Sequence, residues 1–336
     1  MTQTLSQMAV DVLTTADGRA KTALGRKHAA TWFAARAAGQ PLAIGDTQPP
    51  MQPARPDKPD LLSPRDVPRR RPTSALGRIA MLHAIAHIEL NAVDLHWDII
   101  ARFAHIPMPL GYYDDWVKAA DDEAKHFNLL CDCLESLGSF YGALPAHAGM
   151  WRAAEDTVDD FMGRLAVVPM VLEARGLDVT PGMIALFEKA GNAQALAALQ
   201  VIYAEEVAHV AYGSKWFNWL CGRDGLDPKD AFHTLVRRYF HGLLKPPFNE
   251  EKRAEAGLPP DFYWPLTKMP TPPPPTPWAS DGGNPQGLHA PPPNLLKGHG
   301  GLTTQVQCPF WAVRFSLSQN GPVQCFLGCP TGSKPL

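Results

Sequence analysis

The chain has 336 residues, 45% of them hydrophobic, and a formal net charge of −2. That is enough material for one large domain or two ordinary ones. A pI near 6.6 gives no general drive toward nucleic acid or an anionic membrane. No run of 18 apolar residues occurs, so no membrane span is expected, and the first twenty residues lack the continuous apolar segment of a secretory leader.

Residues 3 to 38 are Ala-rich and read as one or two helices, with Trp32 and Phe33 anchoring the second. Their basic residues, among them Arg19, Lys21, Arg26 and Arg36, read as a solvated face. From 39 to 72 the chain is punctuated by Pro49, Pro50, Pro53, Pro56, Pro59, Pro64, Pro68 and Pro72. Such a stretch cannot be regular helix and is expected to run extended over the surface of the fold.

Thr73 or Ser74 can cap a first long helix that runs to about Ile106 and stops at Pro107. A second runs from about Gly111 to Gly138, where glycine suits a left-handed cap. A third occupies about 155 to 176, with Pro169 inside it predicting a kink one turn before Glu173. A short helix opening at Thr180-Pro181 follows, then a fourth long helix from about Asn192 to Cys221. The sixteen residues from 139 to 154 are long enough, at about 3.3 Å each, to cross the full height of a helical bundle. The second and third long helices are therefore expected to be parallel. Asp227-Pro228 starts a further helix, and residues 246 to 267 are irregular but rich in aromatics. From Lys268 the composition turns to proline, glycine and asparagine, which cannot build a core. The expected organisation is therefore 1–72, N-terminal helices and proline-rich covering segment; 73–267, helical bundle; and 268–336, low-complexity tail.

Two stretches repeat one another. Glu89 is followed 34 residues later by Glu123-Ala-Lys-His126, and Glu173 is followed 33 residues later by Glu206-Val-Ala-His209. Residues i and i+3 share a helix face, so each Glu-x-x-His sets a carboxylate beside an imidazole. All six lie on apolar stripes. Ile79, Leu82, Ala86, Val93 and Ile100 share the face of Glu89, and Leu199, Ile202, Trp216 and Leu220 share that of Glu206 and His209. Four buried carboxylates converging on one core would repel one another, and each costs several kcal/mol or shifts its pKa. Two divalent cations would cancel the four charges. Four helices, two giving one Glu and two giving Glu-x-x-His, can enclose such a pair. The predicted metal ligands are Glu89, Glu123, His126, Glu173, Glu206 and His209.

These residues resemble the ferritin-like di-iron carboxylate superfamily. More closely, the stretches HAIAHIELNAVDLHWD, DDEAKHF, VLEARGLDVTP, YAEEVAHVAYG and the upstream PARPDKPDLLSPRDVPRR are similar to an uncharacterised bacterial ferritin-like family named only as domain of unknown function four-five-five. The resemblance covers roughly residues 10 to 265. It implies an all-α fold: a ferritin-like four-helix bundle with a long crossover between its second and third helices, plus extra N- and C-terminal helices. By position it makes Glu123 and Glu206 bridging ligands, Glu89 and Glu173 terminal carboxylates, and His126 and His209 terminal nitrogen donors. Rubrerythrins carry a further Glu three residues after the third-helix ligand. Here that position is Gly176, and no Cys-x-x-Cys pair is present, so a rubrerythrin-type peroxidase is disfavoured.

Mixed Glu and His donors suit two iron ions, with manganese the alternative. The leading expectation is a di-iron, or manganese/iron, oxidase or hydroxylase using dioxygen or peroxide on an unidentified small organic substrate, with an unidentified electron donor. The alternative is a ferroxidase or iron-handling protein without an organic substrate; the proline-rich covering segments argue against a storage cage. Tyr203 and Tyr212, three residues to either side of the fourth-helix ligands, are candidates to act beside the metals. Asp94, Asp122 and Glu205 are candidates to orient the histidines from behind. His83, His87 and His96 read as packed or hydrogen-bonded histidines. A ferritin-like family of tRNA hydroxylases shares the ligand pattern and would use Arg65, Arg69, Arg70, Arg71 and Arg78 on phosphate, but the overall charge gives a nucleic-acid partner little support. Cys131, Cys133 and Cys221 lie in helical patterns and read as buried thiols of a reducing cytoplasm.

Overall fold

A computed structural model describes residues 3–63, 66–68, 70–147 and 149–269, together with the backbone of 313–316 and 324–327. The expectation of a low-complexity tail from 268 lies almost wholly outside the described residues; within it, Val313–Ser316 and Gln324–Leu327 pair as antiparallel strands.

The chain is all-α apart from short strand pairs. Helix α1 (Leu5–Leu13) is opened by a capping box between Thr4 and Gln7, and α2 (Gly18–Ala37) by the Asp17 carboxylate, which accepts from the Ala20 N–H at 2.8 Å. Helix α3 (Ala75–Arg102) starts at Ser74, whose hydroxyl accepts from the Gly77 N–H at 3.0 Å. Helix α4 (Leu110–Ser136) follows the prolines at 107 and 109, and its exit turns through Gly138 at φ +72°. A short α5 (Arg152–Asp156) leads to α6 (Phe161–Val167), whose Asp160 cap accepts from the Gly163 N–H.

The segment around the expected kink is irregular. Val168–Glu173 is a widened, π-helical turn, and α7 (Ala174–Lys189) continues directly from it. Pro169 has no N–H to give to the preceding turn, and the Ala174 N–H reaches back five residues to the Pro169 carbonyl. The chain adjusts by widening rather than by breaking. Nor is there a break at Pro181, which sits inside α7. The carbonyl four residues before it, that of Leu177, is freed by the proline and accepts instead from the Asn249 side-chain amide at 3.2 Å. Helix α8 (Ala193–Asp224) opens on Asn192 and runs past the expected end near Cys221 to Gly225, φ +68°. Helix α9 (Pro228–Tyr239) is capped by Asp227, and α10 (Glu250–Glu255) and α11 (Pro260–Tyr263) close the described domain.

Helix α3 packs on α4, α4 on α8, and α8 on both α7 and the π-helical turn, while α1 and α2 cover α3 and α4. Gly213 is needed where α8 crosses the π-helical turn: a Cβ there would lie 2.5 Å from the Pro169 ring. The proline-rich segment runs over the surface as expected. The backbone N–H groups of Leu5 and Ser6 donate to the carbonyls of Ala43 and Ile44, and the Ala54 N–H donates to that of Leu13. Two-residue strands β1 (Leu61–Leu62) and β2 (Ala146–His147) then tie it, in parallel, to the connection after α4. Cys131, Cys133 and Cys221 are free and buried, as expected from their helical positions. No helix among the described residues is long and apolar enough to cross a membrane.

Candidate metal centre

The six predicted ligands arrive from four helical segments. Helix α3 supplies Glu89, α4 supplies Glu123 and His126, the π-helical turn ends on Glu173, and α8 supplies Glu206 and His209. Glu89, Glu123, His126, Glu206 and His209 are buried, and the Glu173 side chain is only 10% exposed. One atom each from Glu89, Glu123, His126 and Glu206 falls within 4.8 Å of the others, and one each from Glu173, Glu206 and His209 does likewise. Glu206 belongs to both groups.

Glu123 also spans them. Its Oε2 lies 3.4 Å from His126 Nδ1, and its Oε1 lies 3.0 Å from His209 Nδ1. Glu206 Oε1 sits between the two imidazoles, 3.8 Å from one Nδ1 and 3.6 Å from the other. Glu89 Oε2 is 3.4 Å from His126 Nδ1. None of these approaches gives either Nδ1 an aligned hydrogen bond. Both inward nitrogens, with Glu123 Oε2 and Glu173 Oε2, are buried without a hydrogen-bond partner. Buried polar atoms are rarely left so. Here they are lone pairs aimed at two shared centres, and the donor set fits divalent cations.

The outer nitrogens face acids. His126 Nε2 lies 2.8 Å from Glu205 Oε2, and His209 Nε2 lies 3.5 Å from Asp122 Oδ2. Each acid immediately precedes the ligand glutamate of its own helix and faces the histidine of the other; Glu205 is hydrogen-bonded to His126 and holds its Nδ1 inward, whereas His209 Nε2 is buried without a hydrogen-bond partner. Lys125 bridges the two acids, at 3.1 Å from Asp122 and 2.5 Å from Glu205. Asp94, the third expected acid, does not join them. It pairs with the buried Lys21 ammonium at 2.5 Å on the far side of α3.

Protons gather where cations would. Burial first, and then the Glu123 charge, push Glu89 and Glu206 above the usual carboxylate range. Burial opposes the charged forms of His126 and His209, but the surrounding carboxylates outweigh it and raise both imidazoles well above their ordinary value. Burial likewise opposes the charged form of Asp122, yet His209 and Lys118 hold it below the usual range.

One participant was missed by the sequence reading. His96, two turns after Glu89 on α3, places Nε2 2.9 Å from Glu173 Oε1 and stacks on Trp116 at 5.3 Å between ring centres. Its seven-residue spacing from Glu89 was the available signal. His83 and His87 follow the expected packed reading, bonded to the Gly142 N–H and the Tyr141 hydroxyl respectively. Tyr203 does not point at the cluster, because its hydroxyl accepts from the Asn249 amide at 2.7 Å beneath α10. Tyr212 stays near, with its ring 6.4 Å from that of His209. Of the arginines suggested for phosphate, Arg65 and Arg69 lie outside the described residues, and Arg78 donates to the Thr73 carbonyl.

A cavity adjoins the acids. Glu89, Glu123, Glu173 and Glu206 line it, with Ile85, Leu95, Met150, Leu172, Met183 and Ile202 among its apolar lining residues. The cavity is small, about 30 Å³.

Fold and cluster together define an all-α protein with a buried carboxylate–histidine group able to hold metal. The comparisons with known proteins are narrower still: the model of the family described as a protein of unknown function, DUF455, matches residues 14–264, and the chain belongs to that family. An uncharacterized protein of Haemophilus influenzae is 39% identical over 210 residues, covering 61% of this chain and 73% of that relative. No solved structure matches the chain.

Proposed function

We propose that this is a ferritin-like di-iron carboxylate protein, a four-helix bundle with a long crossover between α4 and α6, acting as an oxidase or hydroxylase on a small organic substrate. The observation that carries the reading is the set of buried, unpartnered donors: two inward Nδ1 atoms and two carboxylate oxygens around two centres that share Glu206. Glu89, Glu123, His126 and Glu206 would hold one ion, and Glu173, Glu206 and His209 the other, with Glu123 reaching both. When bound, a reducible metal pair with open positions supplies reaction with dioxygen or peroxide. Iron suits this donor set, and manganese is its alternative.

The chain's own residues do the rest. Glu205 fixes the His126 imidazole so that its Nδ1 faces inward, and the Asp122 carboxylate faces the outer nitrogen of His209 across 3.5 Å. The apolar wall excludes bulk water and favours an apolar reactant over a charged one. Glu89 and Glu206, raised toward protonation, release protons when the ions enter. The experiment is single-turnover oxygen consumption by protein reduced and loaded with ferrous iron. Iron that reoxidises no faster than free iron counts against the proposal.

The small size of the cavity favours one second reading. A cavity of about 30 Å³ suits dioxygen or peroxide better than an organic molecule, as a ferroxidase or other iron-handling protein requires. Ferric iron released after turnover would mark that reading, and iron retained through repeated turnovers would mark the first.

A further inference from the structure

On the reading just proposed, the metal pair needs electrons from outside. We propose that a file of aromatic side chains, Trp116, Tyr112, Trp216 and Trp219, carries single electrons between the centre and the surface.

The file begins at His96. This imidazole touches ligands of the centre on one side, through Glu173 at 2.9 Å and the His209 ring at 5.7 Å, and stacks on Trp116 at 5.3 Å on the other. Trp116 meets Tyr112 at 6.3 Å between ring centres, Tyr112 meets Trp216 at 5.6 Å, and Trp216 meets Trp219 at 6.2 Å. The first three rings are buried, whereas Trp219 is 38% exposed. A side branch through Tyr113 ends at the fully buried Trp32.

A packed aromatic core would account for the contacts alone, but not for the placing of the polar atoms. Among the described residues Trp116 Nε1 and His96 Nδ1 are buried without hydrogen-bond partners, as is Trp97 Nε1 off the file, whereas buried tryptophans usually find one. The Tyr112 hydroxyl gives its proton only to the Ile99 carbonyl, which is no base. Trp216 differs: its Nε1–H donates to Asp115 at 2.8 Å, and Lys215 lies 4.6 Å from its ring centre. An oxidised Trp216 has a hydrogen-bonded carboxylate to take its proton and a cation over its ring, whereas neither Trp116 Nε1 nor the Tyr112 hydroxyl is bonded to a carboxylate.

The balance is one electron at a time. Trp116 gives an electron inward and becomes a radical cation. Trp216 refills it across the Tyr112 ring and passes its Nε1 proton to Asp115. A one-electron reductant reaching Trp219 returns the electron to Trp216, and Asp115 returns the proton. The net transfer is one electron from reductant to centre, with every side chain restored. An oxidant at Trp219 runs the same file outward.

The test uses full-length protein loaded with ferrous iron, without oxygen, and ferricyanide as the outer oxidant, two per metal pair. W116F and W219F are expected to slow loss of ferricyanide colour by about ten-fold or more, and W264F to leave it unchanged. Trp264 is 42% exposed and lies off the file. A second readout is mass spectrometry after peroxide: oxygen adducts should accumulate at Trp216 and Trp219 over Trp264, and fall there in W116F. Equal ferricyanide rates in all variants, or adducts following exposure alone, would overturn the proposal. If W116F does not fold, W219F, altered at the surface, decides. Protein that binds iron yet ignores dioxygen sinks the oxidase reading and leaves the file to the ferricyanide rates; protein that binds no iron overturns both.

Discussion

One helix shows two ways of burying negative charge. On α3, Asp94 and Asp98 are each answered by the protein. Asp94 has Lys21 at 2.5 Å, and Asp98 has Arg102 at 2.6 Å and Arg164 at 2.5 Å. Glu89 on the same helix has no lysine or arginine. It meets Glu123 and His126, in a cluster of four carboxylates and two imidazoles. Asp94, Asp98 and Glu89 are all at most 3% exposed, so burial does not separate them. What separates them is where the compensating charge comes from. The first arrangement is complete within the chain and clamps α3 to α2 and α6. The second is left open in a way that suits cations from outside.

The largest expected effect sharpens the closed side. Asp98→Asn leaves Arg164, fully buried, without its carboxylate, and should cost about 3–5 kcal/mol, read as a fall in denaturant midpoint. A loss under about 1 kcal/mol would remove the contrast between the two regions. Next, Gly213→Ala drives a methyl into the Pro169 ring, where a Cβ lies 2.5 Å away, for about 1–3 kcal/mol from overpacking. It should lower metal retention as well, because the π-helical turn that carries Glu173 must shift.

The open side should respond with the opposite sign. Glu89→Gln removes one of the mutually repelling acids. It is expected to raise the melting stability of metal-free protein, by on the order of 1 kcal/mol, while lowering metal content. A destabilised metal-free variant would break the comparison.

The smallest effect is a slope with pH. Glu89, Glu206, His126 and His209 have raised values in the metal-free fold. The stability they contribute is present below their unfolded values, about 4.3 for Glu and 6.5 for His, and is lost as pH rises through the folded ones. Asp122 and Glu123 act oppositely, but their contribution is lost only as pH falls through their lowered folded values. Four histidines that burial lowers, His28, His83, His87 and His147, slope the other way between pH 6 and pH 8, so the cluster is read against metal: the gain in melting stability on metal loading should be larger at pH 8 than at pH 6, because binding needs the protons gone.

The site was legible because its geometry is local. A Glu-x-x-His needs only helix periodicity to put two donors side by side, and Asp122 and Glu205 were readable as neighbours of those ligands. What escaped depended on distant partners. His96 meets Glu173 across 77 residues, and Asp94 is turned away by Lys21, 73 residues upstream. Tyr203 was misjudged for the same reason, since Asn249 claims its hydroxyl. The prolines of the third helix were read from intrinsic preference alone. Pro169 sits in a widened, π-helical turn, and Pro181 was absorbed once Asn249 took up the freed carbonyl of Leu177. The all-α class and most helix starts followed from caps such as Ser74, Asn192 and Asp227, which act within three residues.

The most direct measurement is elemental analysis of protein purified without added metal and then reconstituted with ferrous iron, compared with Glu206→Gln. The account expects about two ions per chain in the parent, as a Glu and Glu-x-x-His pattern written twice requires, and loss from both positions in the variant, because Glu206 stands in both donor groups. A parent that binds no metal, or a variant that keeps both ions, would contradict it.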